Sequence, residues 1–350
     1  MNSYINALQN QRRNTILFIC LGIALVILFL ANISLGAVKI PFTDVVNALT
    51  GGNASKPAWN YIIIHYRLPK AIVALITGMA LSIGGLLMQT LFRNPLAGPD
   101  VLGLSSGASL GVAFVILGAG LLPGALGIFL LSGYGVVMAS VAGSFAVLLL
   151  VLAVAQRLRD TMAILITGIM FGSFTGAIVS ILTYFSTAEQ LQKYTFWALG
   201  SLGNLSQESI MILAVVTLMG LALAISCIKP LDALLLGERY AASMGINLKR
   251  TRIIIIISAS LLTGCVTAFA GPIAFVGLVV PHLARLLLRA GNHRVLFWGS
   301  LFTGGILMLF CDMCTQLPGS AVVLPINGIT SVVGAPVVIG LLLQKRKGIY

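Results

Sequence analysis

Three histidines (His65, His282, His293), five cysteines and eight acids are nearly all the ligating or acid–base side chains in 350 residues. None falls into a spacing that builds an enzyme site: H-E-x-x-H, G-x-S-x-G and G-x-x-x-x-G-K-[ST] are all missing from the sequence. Without a phosphate-cradling loop the chain is not expected to hydrolyse ATP in the P-loop manner, and no enzyme activity is expected of it. Cys311 and Cys314 make a C-x-x-C, but inside an apolar run with no second pair, where small thiols pack helices and bind no metal. Asp100, Asp160, Glu189, Asp232, Glu238 and Asp312 fall near the ends of apolar runs. A proton- or sodium-coupled carrier keeps ionisable groups in mid-membrane, so that class is disfavoured.

The most informative polar segment runs from Lys229 to Arg252 and contains Leu236-Gly237-Glu238-Arg239-Tyr240-Ala241-Ala242-Ser243-Met244-Gly245. Small residues at 241, 242, 243 and 245 predict a short, smooth helix begun near Glu238, whose charge suits a helix N-terminus. Such a helix fits a partner's groove; an amphipathic connector is the alternative. Arg67 and Lys70 stand as a pair of cations where the second apolar run begins. Non-helical breaks are expected at Asn94-Pro95-Leu96-Ala97-Gly98-Pro99 and at Gly271-Pro272.

The elements that must carry these residues are membrane helices. The chain is 59% apolar and 8% charged, with a mean hydropathy of +1.06, far too apolar for a water-soluble domain. Apolar stretches at about 16–37, 62–91, 102–121, 136–156, 161–185, 208–228, 252–270, 274–289, 295–315 and 325–343 predict about ten spans. The first is too long for a secretion-signal core and is kept as a helix. The net charge of +13 does not indicate nucleic acid, because the cations punctuate the gaps between spans. With the N-terminus inside, 16 lysines and arginines (Arg159 and Lys347 among them) fall on the inner side and 5 (Lys39, Lys56, Arg67, Lys70, Lys193) on the outer. That bias places both termini in the cytoplasm. Gly103, Gly107 and Gly111, and again Gly168, Gly172 and Gly176, have the spacing of close helix contacts. The two breaks suit an inverted repeat relating spans 2–5 to spans 7–10. The expectation is an all-α bundle in lipid, one permease domain over 1–350.

The sequence resembles the iron-siderophore and vitamin B12 family of ABC-importer permeases along nearly its whole length. The matching phrases are Arg67-Leu68-Pro69-Lys70; Gly84 through Gln89 leading to Arg93-Asn94-Pro95-Leu96-Ala97; Leu102-Gly103 with Ser106-Gly107-Ala108; and Gly237-Glu238 with Ala242 and Gly245. Further on come Gly271 through Leu278 with Pro281-His282 and Arg285, then Gly334-Ala335-Pro336. The resemblance implies a type II importer bundle in the bacterial cytoplasmic membrane. It implies that Gly237, Glu238, Ala241, Ala242 and Gly245 dock on a cytoplasmic ATPase, which holds the ATP and magnesium. It also implies that Arg67 and Lys70 meet an extracytoplasmic binding protein, and that a second permease chain completes the pathway. Gln89, Asn94, Pro95, Pro281 and His282 are the pathway or gate candidates, His282 as a helix contact or gate element in preference to an iron ligand. Relatives carry an arginine where this chain has Gln316 and Glu-Leu-Pro where it has Val323-Leu324-Pro325, which tilts the pairing toward a heterodimer. The expected cargo is a ferric siderophore, of the hydroxamate type; haem and cobalamin are the alternatives, with an ion-coupled secondary transporter behind them.

Overall fold

A computed structural model describes residues 2–118, 131–157, 160–203, 205–289, 291–316 and 322–346. Arg159, Lys347 and the end of the third expected span (119–121) lie outside the described residues. Apolar runs bounded by charge or by glycine and proline fold as helices throughout: α1 (Asn2–Ser34), α2 (Phe42–Leu49), α3 (Pro57–Ile62), α4 (Leu68–Leu91), α5 (Leu104–Ile116), α6 (Gly133–Arg157), α7 (Thr161–Tyr184), α8 (Ala188–Ala198), α9 (Gln207–Ser226), α10 (Ile228–Leu236), α11 (Glu238–Ser243), α12 (Leu248–Ala270), α13 (Val276–Leu288), α14 (His293–Thr315) and α15 (Ile326–Arg346). A π-helical turn, Ile63–Arg67, joins α3 to α4 without a gap.

Seven of these helices are long and apolar enough to cross a membrane, and three shorter apolar ones accompany them: Leu104–Ile116, Val276–Leu288 and Ile326–Gly340. Each of the ten expected stretches thus has its helix. The three short ones are those interrupted by glycine and proline. The amphipathic helices α2, α3 and α8 were not expected. Of these α8 had a readable start, a capping box in which Thr187 and Gln190 satisfy each other's backbone N–H groups.

The core centres on α4. Of its most apolar window 78% is buried inside the protein, against 11% for α1, whose surface is left to lipid. α4 is packed by α9, α12, α13 and α14. Its approach to α13 requires bare backbone: a Cβ on Gly85 would stand 1.7 Å from the carbonyl oxygen of Gly277. The expected glycine ladder of α5 is used in the same way, because a Cβ on Gly107 would stand 2.6 Å from the carbonyl oxygen of Gly143 in α6. The second ladder is used only in part. Gly168 lies against the backbone of Val101, whereas an added Cβ at Gly176 would meet nothing within 4 Å.

Both expected breaks are present and each leads into a 13-residue helix, α5 after a 3-10 turn at Pro99–Leu102 and α13 after Gly271. The first break meets the start of α13, since a Cβ on Gly277 would strike Pro99 at 2.6 Å. Phe275 begins α13 with a positive φ of 68°, a conformation costly for any side chain, about 1–2 kcal/mol.

Candidate functional site

The site has two ends, set by the antiparallel pair α4 and α14. Near one end Lys70 Nζ lies 2.9 Å from Asp312 Oδ1. At the other, Thr90 Oγ1 lies 2.9 Å from His293 Nε2. Lys70 and Thr90 are twenty residues apart on α4, and His293 and Asp312 nineteen apart on α14. At 1.5 Å per residue the two polar clamps are about 30 Å apart, the thickness of a bilayer's hydrocarbon core.

The Thr90 end carries the docking-helix candidates. α11 is six residues long and is held between two glycines with positive φ, Gly237 at 121° and Gly245 at 82°. Gly237 also has ψ 148°, a region open almost only to glycine. After α11 the Gly245 N–H bonds the Ala242 carbonyl at 3.0 Å and the Ile246 N–H the Ala241 carbonyl at 3.2 Å. That pairing is a Schellman stop, which needs a left-handed residue at Gly245. Ala241 is buried; Ala242, Ser243, Tyr240 and Met244 face outward, and Leu235 and Leu236 are exposed just before them. Glu238 does more than begin the helix. Its Oε1 pairs with Arg252 Nη2 of α12 at 2.7 Å, anchoring α11 to a spanning helix.

Beside it lie the gate candidates. Gln89 Nε2 donates to the Leu278 carbonyl at 2.9 Å, and its Oε1 accepts from Arg285 Nη1 at 2.8 Å. His282 Nε2 donates to the Pro95 carbonyl at 2.8 Å. A carbonyl only accepts, so this nitrogen carries its hydrogen and is not presented to a metal. Asn94 folds the break by accepting from the Leu96 N–H at 2.9 Å, and Pro281 lies buried inside α13. Gln89, Pro95 and His282 are therefore brought together, with α13 bridging them. Sequence reasoning named Asp232 and His293 only among the scarce ionisable groups, without pairing them, and singled out neither Thr90 nor Arg285 as Gln89's partner. The usable signal was a polar side chain set in an apolar frame, which must find a partner.

At the Lys70 end the two expected docking cations are both engaged. The Arg67 guanidinium is buried and donates to the carbonyls of Ile33 and Ser34, each at 2.8 Å, and to that of Val38. The carbonyls of Ile33 and Ser34 end α1, so Arg67 caps the negative end of that helix dipole. Lys70 is held by Asp312, which is 1% exposed and also accepts from Asn32 Nδ2 at 2.9 Å. Lys70 lines two outward-opening cavities of about 310 and 300 Å³, one with His65 and Tyr66, the other with Asp312 and Val323. Gln316 makes an isolated β-bridge to Val323.

Residues 24–344 match the FecCD transport family throughout. The chain belongs to that family. Among FecCD relatives, the hemin transport system permease protein HmuU of Yersinia pestis is 32% identical over 326 residues, 93% of this chain and 94% of that one. The vitamin B12 import system permease protein BtuC of Escherichia coli O9:H4 (strain HS) is 34% identical over 345 residues, 97% and 99% of the two chains. A solved structure described as an inward-facing metal-chelate type ABC transporter superposes with a TM-score of 0.80 at 28% identity, covering 94% of this chain and 99% of its own. The helical bundle is thus that of an ABC-importer permease, as FecCD membership requires.

Proposed function

We propose that this chain is one of two permease subunits of an ATP-driven importer that carries an intact ferric siderophore, of the hydroxamate type, across the cytoplasmic membrane. The observation that carries this reading is α11: a rigid six-residue helix, fixed at both ends by glycine geometry and tied by Glu238 to α12, offering an apolar face of Tyr240 and Met244. A membrane protein gains nothing by exposing such a face to water unless a partner covers it. ATPase subunits on the cytoplasmic side supply the partner and hold the ATP and magnesium. Their closure on nucleotide pushes α11, and the cluster of Gln89, Asn94, Pro95, Pro281 and His282 acts as the inner gate.

The binding protein delivers cargo at the Lys70 end. Docking there competes with Asp312 for Lys70 and with the α1 carbonyls for Arg67, so Lys70, the more exposed and held by a single pair, is the contact that exchanges. Gln316 in place of a cation supports pairing with a different second chain. The basic residues of the loops around α10 to α12 support a cytoplasmic position for both termini.

A second reading, haem or cobalamin as cargo, draws on the names of the relatives. The two are separated by uptake in cells lacking this chain, using radiolabelled iron as ferric hydroxamate and ferric catecholate, haem and labelled cobalamin. Loss of ferric hydroxamate uptake alone supports the proposal; loss of haem or cobalamin uptake alone replaces its cargo.

A further inference from the structure

α10 and α11 are separated by Gly237 alone, so a push on α11 reaches α10. α10 buries Leu231 and Leu234 and carries Asp232 on the side facing α14. Asp232 Oδ1 accepts twice from His293: from the backbone N–H at 2.7 Å and from ring Nδ1 at 2.8 Å. The opposite ring nitrogen, Nε2, meets Thr90 Oγ1 at 2.9 Å. The ring is 1% exposed and its bond to Thr90 is buried, where hydrogen bonds are strong and a missing partner is costly, whereas Asp232 remains 40% exposed. Thr90 adjoins Gln89, which holds Arg285 and the Leu278 carbonyl of α13.

We propose that His293 is a positioning residue for transport: its planar ring transmits displacement of α10 and α11 to the gate end of α4. The inference rests on the reading of α11 as the ATPase dock. Asp232 also caps the N-terminus of α14 through the His293 backbone N–H, and a cap alone would explain that bond. It would not explain the ring's second bond. An imidazole has no rotatable bond between its two nitrogens, so Asp232 and Thr90 are held at a fixed separation across it, whereas aliphatic contacts of α10 can slide.

Thr90→Val separates the two roles, because it removes the ring's second bond and leaves the cap untouched. The assay is ATP hydrolysis by the complete transporter in proteoliposomes, with and without its binding protein, alongside co-purification of the ATPase subunits. The expected result is that ATPase subunits still co-purify with Thr90→Val while stimulation by the binding protein falls about tenfold, the loss of one buried hydrogen bond. Thr90→Ser should restore it. His293→Phe, which keeps the ring shape and the backbone cap, provides the same test should Thr90→Val not accumulate. Full stimulation in either variant would overturn the relay. ATPase subunits that ignore substitutions throughout α11 would overturn the docking reading instead, and the relay with it.

Discussion

Lys70 and Asp312 form an ion pair at 2.9 Å whose acid is almost wholly buried and whose base is 18% exposed. Asn32 of α1 completes the acid's second oxygen, so one carboxylate joins α1, α4 and α14. Removing only one partner leaves the other desolvated. Lys70→Ala is expected to destabilise the protein by about 3 kcal/mol, and more than Asp312→Ala, because it strands the buried carboxylate whereas a Lys70 left alone can reach water. Thermal unfolding of the detergent-solubilised chain measures this. Equal, negligible losses would show that the pair contributes nothing.

At Gly245 an added Cβ would touch nothing, and the constraint is the left-handed backbone alone. Gly245→Ala is therefore expected to lower cargo uptake by weakening the end of α11, at a cost of about 1 kcal/mol, with Gly245→Asn milder. Glu238→Lys, which places a cation against Arg252, should uncouple ATP hydrolysis from uptake. Normal uptake in Glu238→Lys would remove α11 from the coupling path.

Gln89 satisfies two groups on α13, and its substitutions should not be equivalent. Gln89→Leu strands both Arg285 and the Leu278 carbonyl, whereas Gln89→Glu keeps an acceptor for Arg285 and loses only the donor. The expected order of stability is wild type, then Glu, then Leu, with Leu down by about 2 kcal/mol. Unfolding midpoints decide the order.

Much of the bundle was legible in the sequence because lipid demands long apolar runs, and each of the ten expected runs has its helix, whereas α2, α3 and α8 lie outside such runs. The short helix α11 was legible for a related reason: small residues between two glycines predict a short, smooth helix, while docking on an ATPase came only from the family resemblance. The polar clamps were not. Asp232 and His293 are 61 residues apart, Thr90 and His293 203, and single polar residues in apolar runs carry no address for their partners. The partners of Arg67 were hidden for another reason, since a cation at the mouth of a span gives no sign of the open end of α1 beside it.

Glycine spacing alone also overstated its case, and substitution should show it. Gly85→Ala would drive a methyl group into the Gly277 carbonyl, and is expected to abolish accumulation of folded protein. Gly176→Ala, with open space around it, should be silent or slightly stabilising. Expression and gel-filtration profiles of the two variants test the pair, and similar behaviour would contradict the α4–α13 contact.

On the proposed function, this chain conducts its cargo when ATPase subunits act on α11. The most direct test is accumulation of labelled ferric hydroxamate, haem and cobalamin in proteoliposomes holding the complete transporter, with ATP or a proton gradient as the energy source. Accumulation of one chelate that needs ATP, and that Glu238→Lys abolishes, is the predicted result. Accumulation driven by the proton gradient without ATP would contradict the account.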